Sequence, residues 1–239
     1  MRSEICIGAI ALTLVLPNCT MVTDGIEVDV AYRAPATPQA VRTDMGYHVK
    51  LDRALIAVGR VELLECDNFA RRLWGLFVPG RARAHEESTP TSLGVPMIID
   101  LMESSGTPLF AGTLRPPPGR YCGIRVVSAP ADADAIGSTP ERTEMLKNSV
   151  LLEGVVEDSE TGGEVPLRAL IAELIRWDLQ FDEPLVFDSP RSVSISLQID
   201  HLGWFDGIDF AQFAVLDEGA AMQQRLTENI RSSLVAERL

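Results

Sequence analysis

Three histidines, His48, His85 and His201, are the side chains of this sequence that are best suited to bind a metal ion. Imidazole nitrogen is a common ligand of copper and zinc, and copper(I) also accepts thioethers. Thioethers are present at Met45, Met97 and Met102. No two of the histidines are close in sequence, so a shared site would have to be assembled by the fold. The alternative is that all three are ordinary loop or surface histidines.

The four cysteines fall into different parts of the chain. Cys6 lies in an apolar amino-terminal run and Cys19 follows that run, whereas Cys66 and Cys122 remain as an even pair in strand-like runs. Disulfides persist in oxidising compartments, so export of the chain would favour a bond between Cys66 and Cys122. The alternative is two buried free thiols.

The first 19 residues have the pattern of an export signal. A single basic side chain, Arg2, precedes an apolar run over residues 5–16. A membrane-spanning helix needs about 20 apolar residues, so this run has the length of a signal-peptide core instead. The next residues, Pro17-Asn18-Cys19, resemble a lipoprotein cleavage box, in which the cysteine is acylated. The sequence predicts a signal peptide over 1–19 and a periplasmic or outer-membrane lipoprotein anchored at Cys19. The alternative for this run is a buried strand.

The chain is acidic, with 34 acidic and 21 basic side chains and a formal net charge of −13. Nucleic-acid binding needs clustered Lys and Arg, so this balance excludes nucleic acid as a partner. It also disfavours an anionic membrane surface, so membrane contact is expected only through the lipid anchor. The sequence has no phosphate-binding glycine loop, no serine-hydrolase elbow and no paired-cysteine metal motif. We therefore predict that the protein is not an enzyme.

Apolar and polar residues alternate along many short runs. The clearest are residues 26–33 (IEVDVAYR) and 193–199 (VSISLQI), in which a period of two places one face on a core. Turn-forming residues separate the runs, as at 116–119, 158–163 and 182–184. The other candidate strands are 47–52, 54–66, 108–114, 120–128, 149–157, 164–171 and 185–188. The sequence predicts a mainly β fold, an antiparallel sandwich of about eight or nine strands.

Helical patterns are few. Residues 218–239 space their apolar side chains four apart, which predicts an amphipathic carboxyl-terminal helix that packs on the sandwich. Residues 68–77 predict a short helix, and residues 167–177 fit either a strand or a helix. Residues 80–94 are polar and predict a long loop. No repeat or composition break divides the rest, so we expect one domain over residues 22–239.

Several short segments resemble a family of exported bacterial proteins. Residues 46–54 with the strand at 61–63, residues 99–101 with 118–125, and residues 203–210 (GWFDGIDF) carry the likeness. They are similar to the opening strand pair, the hairpin core and the Trp-Phe element of the MbnP-type β-sandwich proteins. Related uncharacterised lipoproteins share the hairpin that contains Tyr121.

The MbnP-type proteins accompany copper handling and dihaem peroxidase-like partners. Histidines and an oxidised tryptophan contribute to the metal site of the copper-binding relatives, so the resemblance implies roles for His48, His201 and Trp204. Trp204 follows His201 by three residues, which differs from the Trp-x-His pair of those relatives. We therefore expect a non-enzymatic envelope protein that binds copper or docks a redox partner. The alternative is a lipid-anchored interaction module without a metal.

Overall fold

A computed structural model of the chain describes residues 25–35, 40–66, 88–103, 106–212 and 220–239. The fold is mainly β, as predicted, and its strands form two sheets that pack as a sandwich. In chain order the strands are β1 (Ile26–Arg33), β2 (Val41–Arg42), β3 (Tyr47–Glu65), β4 (Ser92–Leu93), β5 (Met97–Asp100), β6 (Leu109–Leu114), β7 (Gly119–Ser128), β8 (Val150–Asp158), β9 (Glu164–Ile171), β10 (Ile175–Phe187), β11 (Arg191–Ile199) and β12 (Leu234–Arg238).

The smaller sheet has the order β12-β11-β1-β6. Its two outer pairs are antiparallel, but β1 and β11 run parallel, with Ile26 opposite Arg191 and Arg33 opposite Gln198. The prediction of an antiparallel sandwich is therefore wrong for this central pair. An alternation of period two is the same in either chain direction, so it cannot specify how neighbouring strands run.

The larger sheet has the order β10-β7-β3-β8-β9, and β2, β4 and β5 also pair with β3. The runs predicted as two strands, 47–52 and 54–66, are one strand of 19 residues. The pairing of β3 with β8 shifts register between Leu51 and Arg53, which absorbs one extra residue as a bulge. Opposite this bulge, a Cβ on Gly154 would lie 2.0 Å from the Lys50 carbonyl oxygen, so glycine permits the close approach of the two backbones.

The alternating apolar residues of both sheets meet in one core cluster. A second, smaller cluster contains Leu55 and Ala57, which point to the opposite face of β3 from their neighbours Ala54 and Ile56. Part of its cover is Met145, in a 3₁₀ turn over Pro140–Leu146. Both faces of the larger sheet are thus covered at this point, which explains an unbroken run of buried residues in β3.

The carboxyl-terminal helix α1 (Ala220–Ser232) packs on the sandwich through Met222, Leu226 and Ile230, the apolar series that the sequence predicted. The helix ends earlier than predicted, because the last residues of the 218–239 segment form β12. β12 pairs with β11 and so satisfies backbone groups that a solvent-exposed helix end would leave unpaired. The Trp177 Nε1 donates to the Ile230 carbonyl at 3.1 Å and fixes the helix to β10.

Other predicted elements have different outcomes. Residues 167–177, which fitted a strand or a helix, contain the end of β9 and the start of β10. The turn predicted at 182–184 is an irregularity inside β10, where the pairing with β7 shifts register. Within the predicted loop 80–94, the part from residue 88 onward contains the short strand β4. The predicted helix at 68–77 lies outside the described residues.

Candidate functional site

After β11, residues 201–210 form turns that bring three aromatic side chains into the core. Trp204, Phe205 and Phe210 are all buried. The Trp204 Nε1 donates to the Ser233 hydroxyl at 2.7 Å, and the Phe210 ring meets the edge of Tyr47 at a centroid distance of 5.3 Å. We call residues 201–210, together with the side chains from β3 and α1 that contact them, the closed end.

Hydrogen bonds hold the backbone of the closed end in place. The Asn229 amide on α1 donates to the Trp204 carbonyl at 2.9 Å and to the Asp206 carbonyl at 2.8 Å. The Gly207 N–H donates to the Asp44 carboxylate at 2.7 Å, and the positive φ of Gly207, 67°, suits a glycine. The Asp44 N–H in turn donates to the Asp206 carboxylate at 3.2 Å. The Trp-Phe element is therefore fixed from two sides.

Tyr47 links the first residue of β3 to the end of this element. Its hydroxyl donates to the Asp209 carboxylate at 2.8 Å and accepts from the Ala211 N–H at 3.1 Å. Partial burial, followed by the bond to Asp209, raises the pKa of Tyr47 above its ordinary value, so the hydroxyl keeps its proton. These contacts explain the Trp-Phe motif as a packing element of the sandwich.

The two histidines to which the resemblance gives a role in the metal site differ in their surroundings. His201 is fully buried and meets Trp204 edge-on at 6.2 Å between ring centroids. His48 lies on β3 between Tyr47 and Val49, which both face the core, so the His48 side chain points to the outer face. His85 lies outside the described residues.

The environment of His201 favours the uncharged form of its side chain. Burial lowers its pKa below the ordinary histidine value, and this effect outweighs the raising effects of the Asp200 charge and of a backbone hydrogen bond at Ile199. A neutral imidazole in this position packs with Trp204 as part of the core. Among the described residues, no group of three or more His, Cys, Asp or Glu side chains is arranged to hold a metal ion.

Cys66 and Cys122 form a disulfide, with their Cα atoms 4.8 Å apart. The bond joins the end of β3 to its neighbour β7, so the pair that the sequence favoured is supported. Beside it, the Tyr121 hydroxyl donates to the Pro117 carbonyl four residues upstream at 3.1 Å. That bond resembles the tyrosine corner of other sandwiches and gives the hairpin motif a structural role. Burial raises the pKa of Tyr121 to about 12. Cys19 lies outside the described residues.

A cavity of about 370 Å³ lies between β5, β6 and the segment 136–142, and we call it the groove. Its size falls within the range of ligand-binding clefts, about 300–1,000 Å³. Three large apolar side chains around it are exposed, Leu109 by 37%, Phe110 by 58% and Ile136 by 50%. The lining residues are Met97, Ile98, Asp100, Glu103, Thr107, Pro108, Leu109, Phe110, Ile136, Gly137 and Arg142.

One wall of the groove carries charge. The Arg142 guanidinium binds the Asp100 carboxylate at 2.9 Å, and both side chains are more than four-fifths covered. The same nitrogen is 3.5 Å from Glu103, whose side chain is 78% exposed. The Asp100 carboxylate also accepts the N–H groups of Met102 and Glu103 and so closes the turn after β5. The groove therefore has two carboxylates for one guanidinium, an excess of one negative charge.

The sequence pointed to the motif that builds the closed end and did not point to the groove. Residues 108–114 were predicted as a strand, and the strand forms as β6. In the described part of the chain β6 is the last strand of its sheet, and its first two residues, Leu109 and Phe110, are exposed. The available signal was the absence of charge in LFAGTL, which is unusual for an edge strand.

No helix in the described part of the chain is both long and apolar enough to cross a bilayer. No family model matches the sequence. A comparison with curated proteins also finds no match. Among solved structures, MbnP from Methylosinus trichosporium aligns at 12% identity over 81% of each chain, with a TM-score of 0.37. Roles of individual residues are not transferred at this level of likeness, so the site is defined by this chain's own geometry.

Proposed function

We propose that this protein is a non-enzymatic β-sandwich of the cell envelope that acts by docking a partner protein in the groove. The observation that carries this proposal is the exposure of Leu109, Phe110 and Ile136 around one cavity. Contiguous exposed apolar side chains with a polar rim are typical of interaction sites. The Asp100–Arg142 pair supplies fixed polar groups that would orient a bound chain.

The location in the envelope rests on separate support. A bond between Cys66 and Cys122 suits an oxidising compartment, and the predicted signal peptide and Cys19 would deliver and anchor the chain there. Thiol alkylation of the protein in intact cells, followed by mass spectrometry, should find Cys66 and Cys122 blocked until a reductant is added. A Cys19→Ser variant should leave the membrane fraction. Two free thiols, or unchanged membrane association, would contradict these two expectations respectively.

The docking proposal is tested by cross-linking in the cells that produce the protein. A photoreactive amino acid placed at Phe110 should yield a defined protein adduct. The same amino acid at Val235 is the matched control, because that side chain is 57% exposed on β12, the opposite edge of the same sheet. Adducts at both positions, or at neither, would refute a docking site at the groove.

Copper binding and a dihaem peroxidase-like partner stay predictions from the resemblance. His201 is buried and His48 is half-buried on β3, so the two residues are tested one at a time. Copper titration of the intact protein, repeated with His48→Ala and His201→Ala, tests each residue separately. The prediction holds if saturable binding is lost in one variant, and it fails if both variants bind as the parent does.

A further inference from the structure

In the described residues, the strands at the ends of the two sheet orders are β12, β6, β10 and β9, and these four edges are not equally protected against pairing with another chain. Three of them carry charged residues, a proline or a bulge, the usual devices that block edge pairing. β12 exposes Glu237 and Arg238, β9 contains Pro166, and β10 bulges next to exposed Asp182 and Glu183. The fourth edge is β6, which has no ionisable side chain.

Only part of β6 is open. Near its end, the Arg115 N–H donates to the Pro90 carbonyl at 2.9 Å, and Gly112 lies against the Leu93 side chain. The segment around β4 therefore covers the second half of the strand. The first half, with Leu109 and Phe110, borders the groove and pairs with β1 on its other side.

On the opposite wall of the groove, backbone groups of β5 and Ile136 are already hydrogen-bonded within the protein. The Ile98 N–H on β5 donates to the Ile136 carbonyl at 2.8 Å, and the Ile136 N–H donates to the Pro96 carbonyl at 2.9 Å. A chain entering the groove would therefore form strand hydrogen bonds with β6, and its side chains would contact β5 and Ile136. This arrangement is the geometry of β-strand addition, in which backbone bonds give affinity and alternate side chains give specificity.

The charge of the groove favours some partner segments over others. An acidic side chain would have to compete with Asp100 and Glu103 for the Arg142 guanidinium. A basic side chain would instead meet the exposed Glu103 carboxylate, and it could also lie over the open face of the Phe110 ring. The net charge of −13 attracts a basic partner over longer distances as well.

We infer that the open half of β6 pairs with an extended segment of a partner protein in which basic and apolar side chains alternate. This inference rests on the proposed docking function and names the chemistry of the partner. The two apolar residues of β6 would contact the apolar side chains of the segment, and Glu103 would bind one of its basic groups.

Selection from a library of short random peptides, with the intact exported protein as bait, tests the inference. We expect enriched peptides that alternate apolar residues with Lys or Arg. Their affinity, measured by fluorescence anisotropy, should fall at least about tenfold in Phe110→Ser, which removes the ring without adding charge. Glu103→Gln should weaken binding by about two- to fivefold and reduce its dependence on salt. Val235→Ser, the same type of change on the protected edge, should leave binding unchanged.

Several results would overturn the inference. They are the recovery of no peptides, the recovery of acidic or unpatterned peptides, and equal loss of affinity in Phe110→Ser and Val235→Ser. Sedimentation that shows a dimer, dissociated by Phe110→Ser, would mean that a second copy of this chain occupies β6. Cross-linking at Phe110 to a partner without a basic strand would reject the inference and keep the docking function.

Discussion

The closed end and the groove are built from similar residues and differ in what covers them. At the closed end, Trp204, Phe205 and Phe210 lie under α1 and the start of β3, and hydrogen bonds from three elements fix them. In the groove, Leu109 and Phe110 lie on an edge strand, beyond which the described part of the chain places no further strand. The same apolar chemistry thus stabilises the fold in one region and remains available for binding in the other.

The largest loss of stability is expected at Trp204, whose side chain is fully buried. Trp204→Ala removes an indole from the core together with its bond to Ser233, so we expect the free energy of unfolding to fall by about 3–5 kcal/mol. Urea denaturation measures this change. Trp204→Phe retains most of the packing and should cost less. A loss below about 1 kcal/mol for the alanine variant would mean that the closed end does not hold the sandwich together.

A smaller loss of stability is expected where a substitution removes only hydrogen bonds. Tyr47→Phe deletes the hydroxyl that donates to Asp209 and accepts from the Ala211 N–H. That N–H keeps its second acceptor, the Asp209 carboxylate at 3.1 Å, so the variant should cost about 1 kcal/mol. Hydrogen exchange should show faster exchange at the Ala211 amide. Tyr121→Phe, which removes a bond outside the closed end, is the control and should leave that amide unchanged. Equal effects of both variants on Ala211 would show that Tyr47 has no local role.

Acidification should destabilise the closed end through protonation of His201. The pKa of His201 is lowered in the folded protein, so the unfolded chain binds the proton more readily. The contribution of His201 to stability is therefore greatest above the ordinary histidine pKa of about 6.5 and falls as the pH drops through that value, levelling off below the lowered pKa. Denaturation curves between about pH 8 and 5 measure this loss, and His201→Gln should remove it. An unchanged pH dependence in that variant would assign the effect to other groups.

The smallest effect on stability is expected in the groove. Phe110→Ser changes a side chain that is 58% exposed, so the free energy of unfolding should stay within about 0.5 kcal/mol of the parent. Phe205→Ser, the same change in a buried ring, should cost several times more. If Phe110→Ser proves as destabilising as Phe205→Ser, Phe110 belongs to the core and the distinction between the two regions is lost.

The sequence alone determined the elements whose pattern is local. β1, β7, β9 and β11 form close to where alternation predicted them, and the apolar face of α1 is the one read from its spacing. The Cys66–Cys122 pair was also accessible, because compartment and cysteine number reduced the alternatives. Each of these properties depends on residues close together in the chain or on composition.

Only the tertiary structure decided which strands became edges, which direction β1 took beside β11, and that His201 became buried. The last residues became β12 because β11 offered backbone partners that a helix end lacks. These outcomes depend on pairings between residues that are far apart in sequence, and a periodic pattern contains no information about its partner. For the same reason the alternation of residues 26–33 predicts a strand from the sequence alone, whereas the exposure of Phe110 depends on the tertiary structure.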